Sequence, residues 1–254
     1  MEKETTGAIL KALDILEIFL KDQDEVGISE MANLAGLKVS TVHRIASTLV
    51  NRGYLKQQGK RGKYVLGLKF LRYNNVLKKT LKIRDIALPF LENLRKISGE
   101  SANLAICDQN EVVYIEHIES NQTLRAFTEI GNRVPLYCTG VGKLFLAHLG
   151  EEELNKMANL PRKRITENTI TDFNKLKAEL AVIKRESVAV DNGEMDIGLR
   201  CLAAPVKDLN GKAVAAISIS GPFTRLTNKR IKELKPLVKR VGWEISRAIG
   251  YEGE

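Results

Sequence analysis

Cysteine is scarce: the 254 residues hold only Cys107, Cys138 and Cys201, widely spaced, odd in number and never in a CxxC pair. A disulfide framework is not expected, and a reducing compartment is. Long apolar runs are missing too. Residues 1–6 carry no hydrophobic signal core, and no stretch approaches the roughly eighteen residues of a membrane span. A soluble, cytoplasmic protein with no membrane partner is therefore expected. The third absence is local. No Asp or Glu occurs between residues 31 and 84, while Lys and Arg recur there from Lys38 onward. The formal charge of +9 is thus concentrated in one third of the chain, which favours an anionic partner.

What is present is an ordinary globular composition, long enough for two domains. Ile9, Ala12, Leu13, Leu16, Phe19 and Leu20 recur at helical spacing and predict a first helix. A second is expected to open at Ser29 as N-cap, bury Met31, Ala32 and Ala35, and stop at Gly36. A third, with Ser40 as N-cap, sets Val42, Ile45, Ala46, Leu49 and Val50 on one face. Two strand-like segments, 54–57 and 63–66, then flank a basic tip at 58–62. Three helices followed by a basic hairpin spell a winged helix-turn-helix over residues 1–67. Its partner would be double-stranded DNA. Lys38, Ser40, Thr41, His43, Arg44 and Ser47 are the candidate contacts of the third helix, where base edges can be told apart. Lys60 and Arg61 at the tip, with Lys56 and Lys63 beside them, would meet phosphates.

Residues 68–98 read as a helical connector available for dimer contacts, with a break, a kink or a helix start near Pro89. From 99 to 254, strand and helix signals alternate with hairpin turns at 108–110 and 208–211. An α+β domain with helices packed on an antiparallel sheet is expected. Enzymatic readings do poorly. Gly142-Lys143 resembles a phosphate loop, but position 137 is Tyr rather than Gly and position 144 is Leu rather than Ser or Thr. No spacing gives Cys138 or Cys201 a base among His43, His117 and His148. Cys138, Cys201 and Asp191 could converge on a zinc ion in the folded chain, although buried structural cysteines are the commoner outcome. No catalytic residue, cofactor or metal is assigned.

The whole chain resembles the IclR family of bacterial regulators. The resemblance rests on 28–32, 37–44, 53–55 and 64–67 in the N-terminal third. Further along it rests on 134–143 (VPLYCTGVGK), 191–194 (DNGE), 198–206 (GLRCLAAPV) and 215–222 (AAISISGP). It implies a GAF-like effector domain for a small organic acid, and homodimers or homotetramers on palindromic operators. It also implies effector contacts at Asp191 and Cys201, and a pocket wall at Thr123, Ala126 and Val134. Gly140 and Val141 precede a helix and could present amides to a carboxylate, while Ser218 and Ser220, two apart on a strand, share one face. The expectation is an effector-responsive regulator, more a repressor than an activator, of a catabolic operon, with a hydroxylated or sugar acid as ligand. Two rivals stay open: a constitutive DNA-binding protein whose C-terminal domain only oligomerises, and an enzyme using the C-terminal pocket.

Overall fold

The spacing of apolar residues in the first third translates into a small core of Ile15, Phe19, Met31, Val42, Ala46, Leu49 and Tyr64. It is seen in a computed structural model that describes residues 7–21, 23–59 and 62–253. Helix α1 (Gly7–Glu17) buries Ile15, and the 3-10 turn after it buries Ile18 and Phe19. Ile9, Leu13 and Leu20 of the expected stripe are exposed. The helix is apolar around much of its circumference, so period alone did not say which side meets the core. Helix α2 (Ile28–Leu34) starts one residue ahead of the expected cap. Gly27 is its N-cap, and the Gly27 N–H donates to Glu30 at 3.4 Å. Gly36 follows with φ +63°, as a helix-ending glycine should. Helix α3 (Val39–Asn51) begins after Lys38, so Ser40 sits in the first turn instead of capping it.

Strands β1 (Leu55–Gln57) and β2 (Tyr64–Leu66) pair antiparallel as the wing, and Tyr64 bridges back to Val26. Lys60 and Arg61 lie outside the described residues. Helix α4 (Lys69–Thr80) is tied to the end of α3. Its Lys69 Nζ donates to Arg52 O at 3.1 Å, and the Tyr73 and Tyr54 hydroxyls meet at 2.6 Å.

The chain divides into two units after Leu81. Residues 68–98 therefore do not stand apart as a connector. They contribute α4 to the first unit and α5 (Lys82–Ser98) to the second. The break falls at Leu81 rather than at Pro89, which α5 carries within its length. A proline forfeits one helical hydrogen bond, and burial of Ala87, Leu91 and Leu94 offsets that loss.

The second unit is built on a six-stranded antiparallel sheet, β5-β4-β3-β8-β7-β6. Its strands are β3 (Ser101–Asp108), β4 (Glu111–Ile118), β5 (Arg133–Pro135), β6 (Ala189–Asp191), β7 (Leu199–Lys207) and β8 (Ala213–Pro222). Gln109 and Asn110, both at positive φ, make the β3–β4 turn. Alternation sorts the side chains of β7 and β8 onto two faces. Ala204 lies against α9 (Asn228–Ala248), and Ala203 lies against α6 (Gly140–Ala147). Helices α5 and α9 thus cover one face and α6 the other, with α8 (Phe173–Glu186) packed on α6. No helix among the described residues is long and apolar enough to cross a membrane.

Candidate nucleic-acid interface and ligand cavity

On α3 the core takes Val42, Ala46 and Leu49. Ser40, His43, Arg44 and Ser47 recur at i, i+3, i+4 and i+7 and so share the opposite face. Ser40, His43 and Arg44 are exposed, while Ser47 is half-buried. Thr41 is half-buried at the side of that face, and Lys38 is exposed as the N-cap. The His43 and Arg44 side chains take no hydrogen bond or ion pair among the described residues, so their donors remain available. Thr48 donates to Arg44 O at 3.1 Å and is spent locally. On the wing Lys56 is exposed, whereas Lys63 is bound to Glu25 at 2.8 Å. A phosphate at Lys63 would have to compete with that carboxylate.

In the second unit, one sheet face changes character along its length. Ala105, Ala203 and Ala216 lie in the apolar core with Leu144 and Leu176. Beyond them Asn103, Ser218, Ser220 and Cys201 are polar or polarisable, and they come together because the register pairs Asn103 with Ser218 and Cys201 with Ser220. Next to these a cavity of about 230 Å³ opens. Ala126, Val134, Asp191, Cys201 and Ser220, all expected at the site, line it. Tyr114, Phe127, Thr139 and Met195 line it too, and sequence reasoning did not nominate them. Ser218 stands one residue pair away, joined to Ser220 through Asn103, whose Nδ2 donates to the two hydroxyls at 3.2 and 3.1 Å. Gly140 abuts Asp191 and Ala203. Val141 is buried in the first turn of α6 beside it. Thr123 is exposed and does not line the cavity.

Burial governs the protonation of this site. Asp191 accepts from Glu194 N at 2.7 Å, but its burial and then the Glu194 charge push the carboxyl up to about 7. Burial likewise pushes the Cys201 and Cys138 thiols up to about 12, so both stay protonated at neutral pH. Thiols of that kind are poor nucleophiles and poor metal ligands. Among the described residues no group of three or more His, Cys, Asp and Glu could hold a metal ion.

Lys143 is bound to the backbone next to Asp191, through Val190 O, and has a role that its place beside Gly142 did not suggest. It is fully buried, with Nζ at 2.5 Å from both Glu179 and Glu194 and 2.8 Å from Val190 O. Burial pulls its ammonium down, yet the two glutamates outweigh that and raise it. The lysine thereby clamps the segment carrying Asp191 onto α6. Gly142 is needed for the same construction, because a Cβ there would run into Leu136 O and its hydroxyl-capped first turn.

Residues 8–59 match the family profile described as "IclR helix-turn-helix domain", and residues 75–247 match that described as "Bacterial transcriptional regulator IclR C-terminal". The chain is similar to the "Transcriptional repressor IclR" of Escherichia coli (strain K12), 33% identical over 248 residues that cover 96% of this chain and 90% of that protein. The solved structure of the Thermotoga maritima IclR is similar with a TM-score of 0.83 at 35% identity, over 96% of this chain and 99% of that one. An IclR homolog from Microbacterium hydrocarbonoxydans, complexed with 4-hydroxybenzoate, gives a TM-score of 0.81 at 25% identity, over 95% and 99%.

Proposed function

The chain belongs to the IclR family of transcriptional regulators, which are DNA-binding proteins and not enzymes, and on that premise we propose that it is an effector-responsive repressor of a catabolic operon. The first unit grips a palindromic operator, with Arg44 and His43 at base edges and Lys38, Lys56, Lys60 and Arg61 at phosphates. The second binds a small hydroxylated or sugar acid, and the working form is a homodimer or homotetramer. The observation that carries the ligand half of this proposal is the convergence of Ala126, Val134, Asp191, Cys201 and Ser220 on one cavity. Its volume of about 230 Å³ lies below the usual range of drug-sized pockets and suits a small acid. The 4-hydroxybenzoate bound to the Microbacterium homolog, a hydroxylated acid, supports the same ligand class.

The ligand's carboxylate would be held by the Ser220 hydroxyl and by amides at the start of α6, where the helix dipole favours negative charge. Asp191 faces it and, at a pKa of about 7, can offer a proton to the ligand or accept one from a ligand hydroxyl. Gel-shift titration of operator fragments across hydroxy, keto, sugar and aromatic acids tests the proposal. An acid that binds in the cavity is expected to lower operator affinity. Operator affinity unmoved by every acid that binds would leave a constitutive DNA-binding protein instead.

A further inference from the structure

Helix α9 carries two stripes. Leu234, Val238, Val241 and Ile245 face the sheet and are buried. Pro236, Lys239, Arg240 and Trp243 recur at i, i+3, i+4 and i+7 and make a second stripe, lining a groove of about 490 Å³ with Lys207 at the end of β7 and Tyr251 after the helix. The groove has more than twice the volume of the cavity at Asp191. It lies about 20 Å from Cys201 along β7, taking six residues of strand rise.

Core packing does not account for Trp243, the chain's one tryptophan, which is 46% exposed. The groove is also charged with one sign. Lys207, Lys239 and Arg240 line it, and among the described residues no Asp or Glu does. Lys239 makes no hydrogen bond or ion pair among the described residues, and Arg240 reaches only Glu244, at 3.6 Å on the exposed surface. Within the groove Lys207 Nζ lies 5.7 Å from the Tyr251 ring, and Arg247, which is not part of the lining, lies 5.6 Å from the Trp243 ring. A second copy of the chain docked about a two-fold axis would set these cations against their own kind.

We propose that this groove is a second binding site, for a planar aromatic ring that carries an anionic group. The ring stacks on Trp243 and Pro236, and the anion is taken by Lys239, Arg240 and Lys207. Such a ligand uses both surface types at once, since indole supplies stacking area and desolvated cation–anion pairs supply orientation.

The test uses the full-length protein and two probes of nearly the same shape, anionic 1-anilinonaphthalene-8-sulfonate and neutral N-phenyl-1-naphthylamine. Trp243 emission reports binding. Saturable quenching by the sulfonate is expected. Affinity should be at least about tenfold weaker for the neutral probe and for the Lys239→Gln/Arg240→Gln variant, one tenfold step corresponding to roughly one charge-assisted hydrogen bond. Ser220→Val, which alters the other cavity, should leave that affinity unchanged. The proposal is overturned by an absence of saturable quenching, by equal binding of the neutral probe, or by a loss that follows Ser220→Val instead of the cation pair. It is also overturned if Trp243→Ser shifts the sedimentation of the unliganded protein to a smaller assembly, which would make the groove a contact between copies.

Discussion

The α3 face and the Asp191 cavity, proposed for an operator and for a small acid, offer opposite dielectric settings. On α3 the cations are exposed and uncommitted, and the side chains that hold the helix in place lie on its far side. Affinity there comes from many weak, screened contacts and falls with salt. Next to the segment that carries Asp191, Lys143 is fully buried and already bound to two glutamates. The cavity lining there includes a serine hydroxyl, the protonated Cys201 thiol, the Asp191 carboxyl poised near pH 7 and the exposed Asp196. A polymer of phosphates can be met by an open charged surface, whereas a small acid needs an enclosed site in which a few dipoles do the selecting.

The largest effect that would sharpen this contrast is at Lys143. Lys143→Met removes one partner of a buried ionic cluster and leaves Glu194 without its cation, so the second unit should lose roughly 3–5 kcal/mol of stability. Urea unfolding followed by Trp243 emission measures it, because that tryptophan lies in the second unit. A loss near zero would mean that water already reaches Glu194 and that the site is not enclosed.

A smaller effect should divide the DNA-binding face. Arg44→Ala is expected to cost about 1–3 kcal/mol in discrimination between operator and unrelated duplex, while Lys56→Ala weakens all duplexes alike and reduces the salt slope by about one. Fluorescence anisotropy over a salt series separates the two. Equal loss of discrimination at both positions would erase the distinction between base reading and phosphate contact.

The smallest effect expected on binding concerns pH. Burial raises the folded Asp191 carboxyl from 3.8 to about 7. Its contribution to stability is therefore present below 3.8 and is lost as pH rises toward 7. Above pH 7 the ionised carboxyl repels a carboxylate ligand, so affinity should fall by at most about tenfold per pH unit, and Asp191→Asn should flatten both profiles. Calorimetric titration of a bound acid from pH 6 to 8 checks this. A wild-type profile as flat as that of the variant would show that Asp191 does not titrate against the ligand.

The two regions also differ in how far their sequence betrayed them. In the first unit the relevant signals are local. Helical periodicity, the missing acids and the flanking glycines delineate α2, α3 and the wing in one unbroken run from Ile28 to Leu66, and the helix starts were misjudged by only one or two residues. Ser29 and Ser40 looked like caps because their chemistry allows it, whereas the chain turns at Gly27 and Lys38 instead. The cavity draws on residues as far apart as Tyr114 and Ser220, which meet only through sheet register, so no local pattern reveals it. The family resemblance supplied Asp191, Cys201 and Ser220. It did not supply Asn103 or Lys143, whose roles come from burial and distant partners. Thr123 shows the converse, since a position carried over by alignment lies on an exposed loop away from the lining.

The claim that ligand and operator answer to one equilibrium is tested most directly by linkage. The dissociation constant of the acid selected by titration would be measured by calorimetry with the protein free and with it saturated by operator duplex, and that of the duplex with and without the acid. The two ratios should agree, because coupling between sites is reciprocal. An acid that binds the free and operator-bound protein with the same affinity would contradict the account.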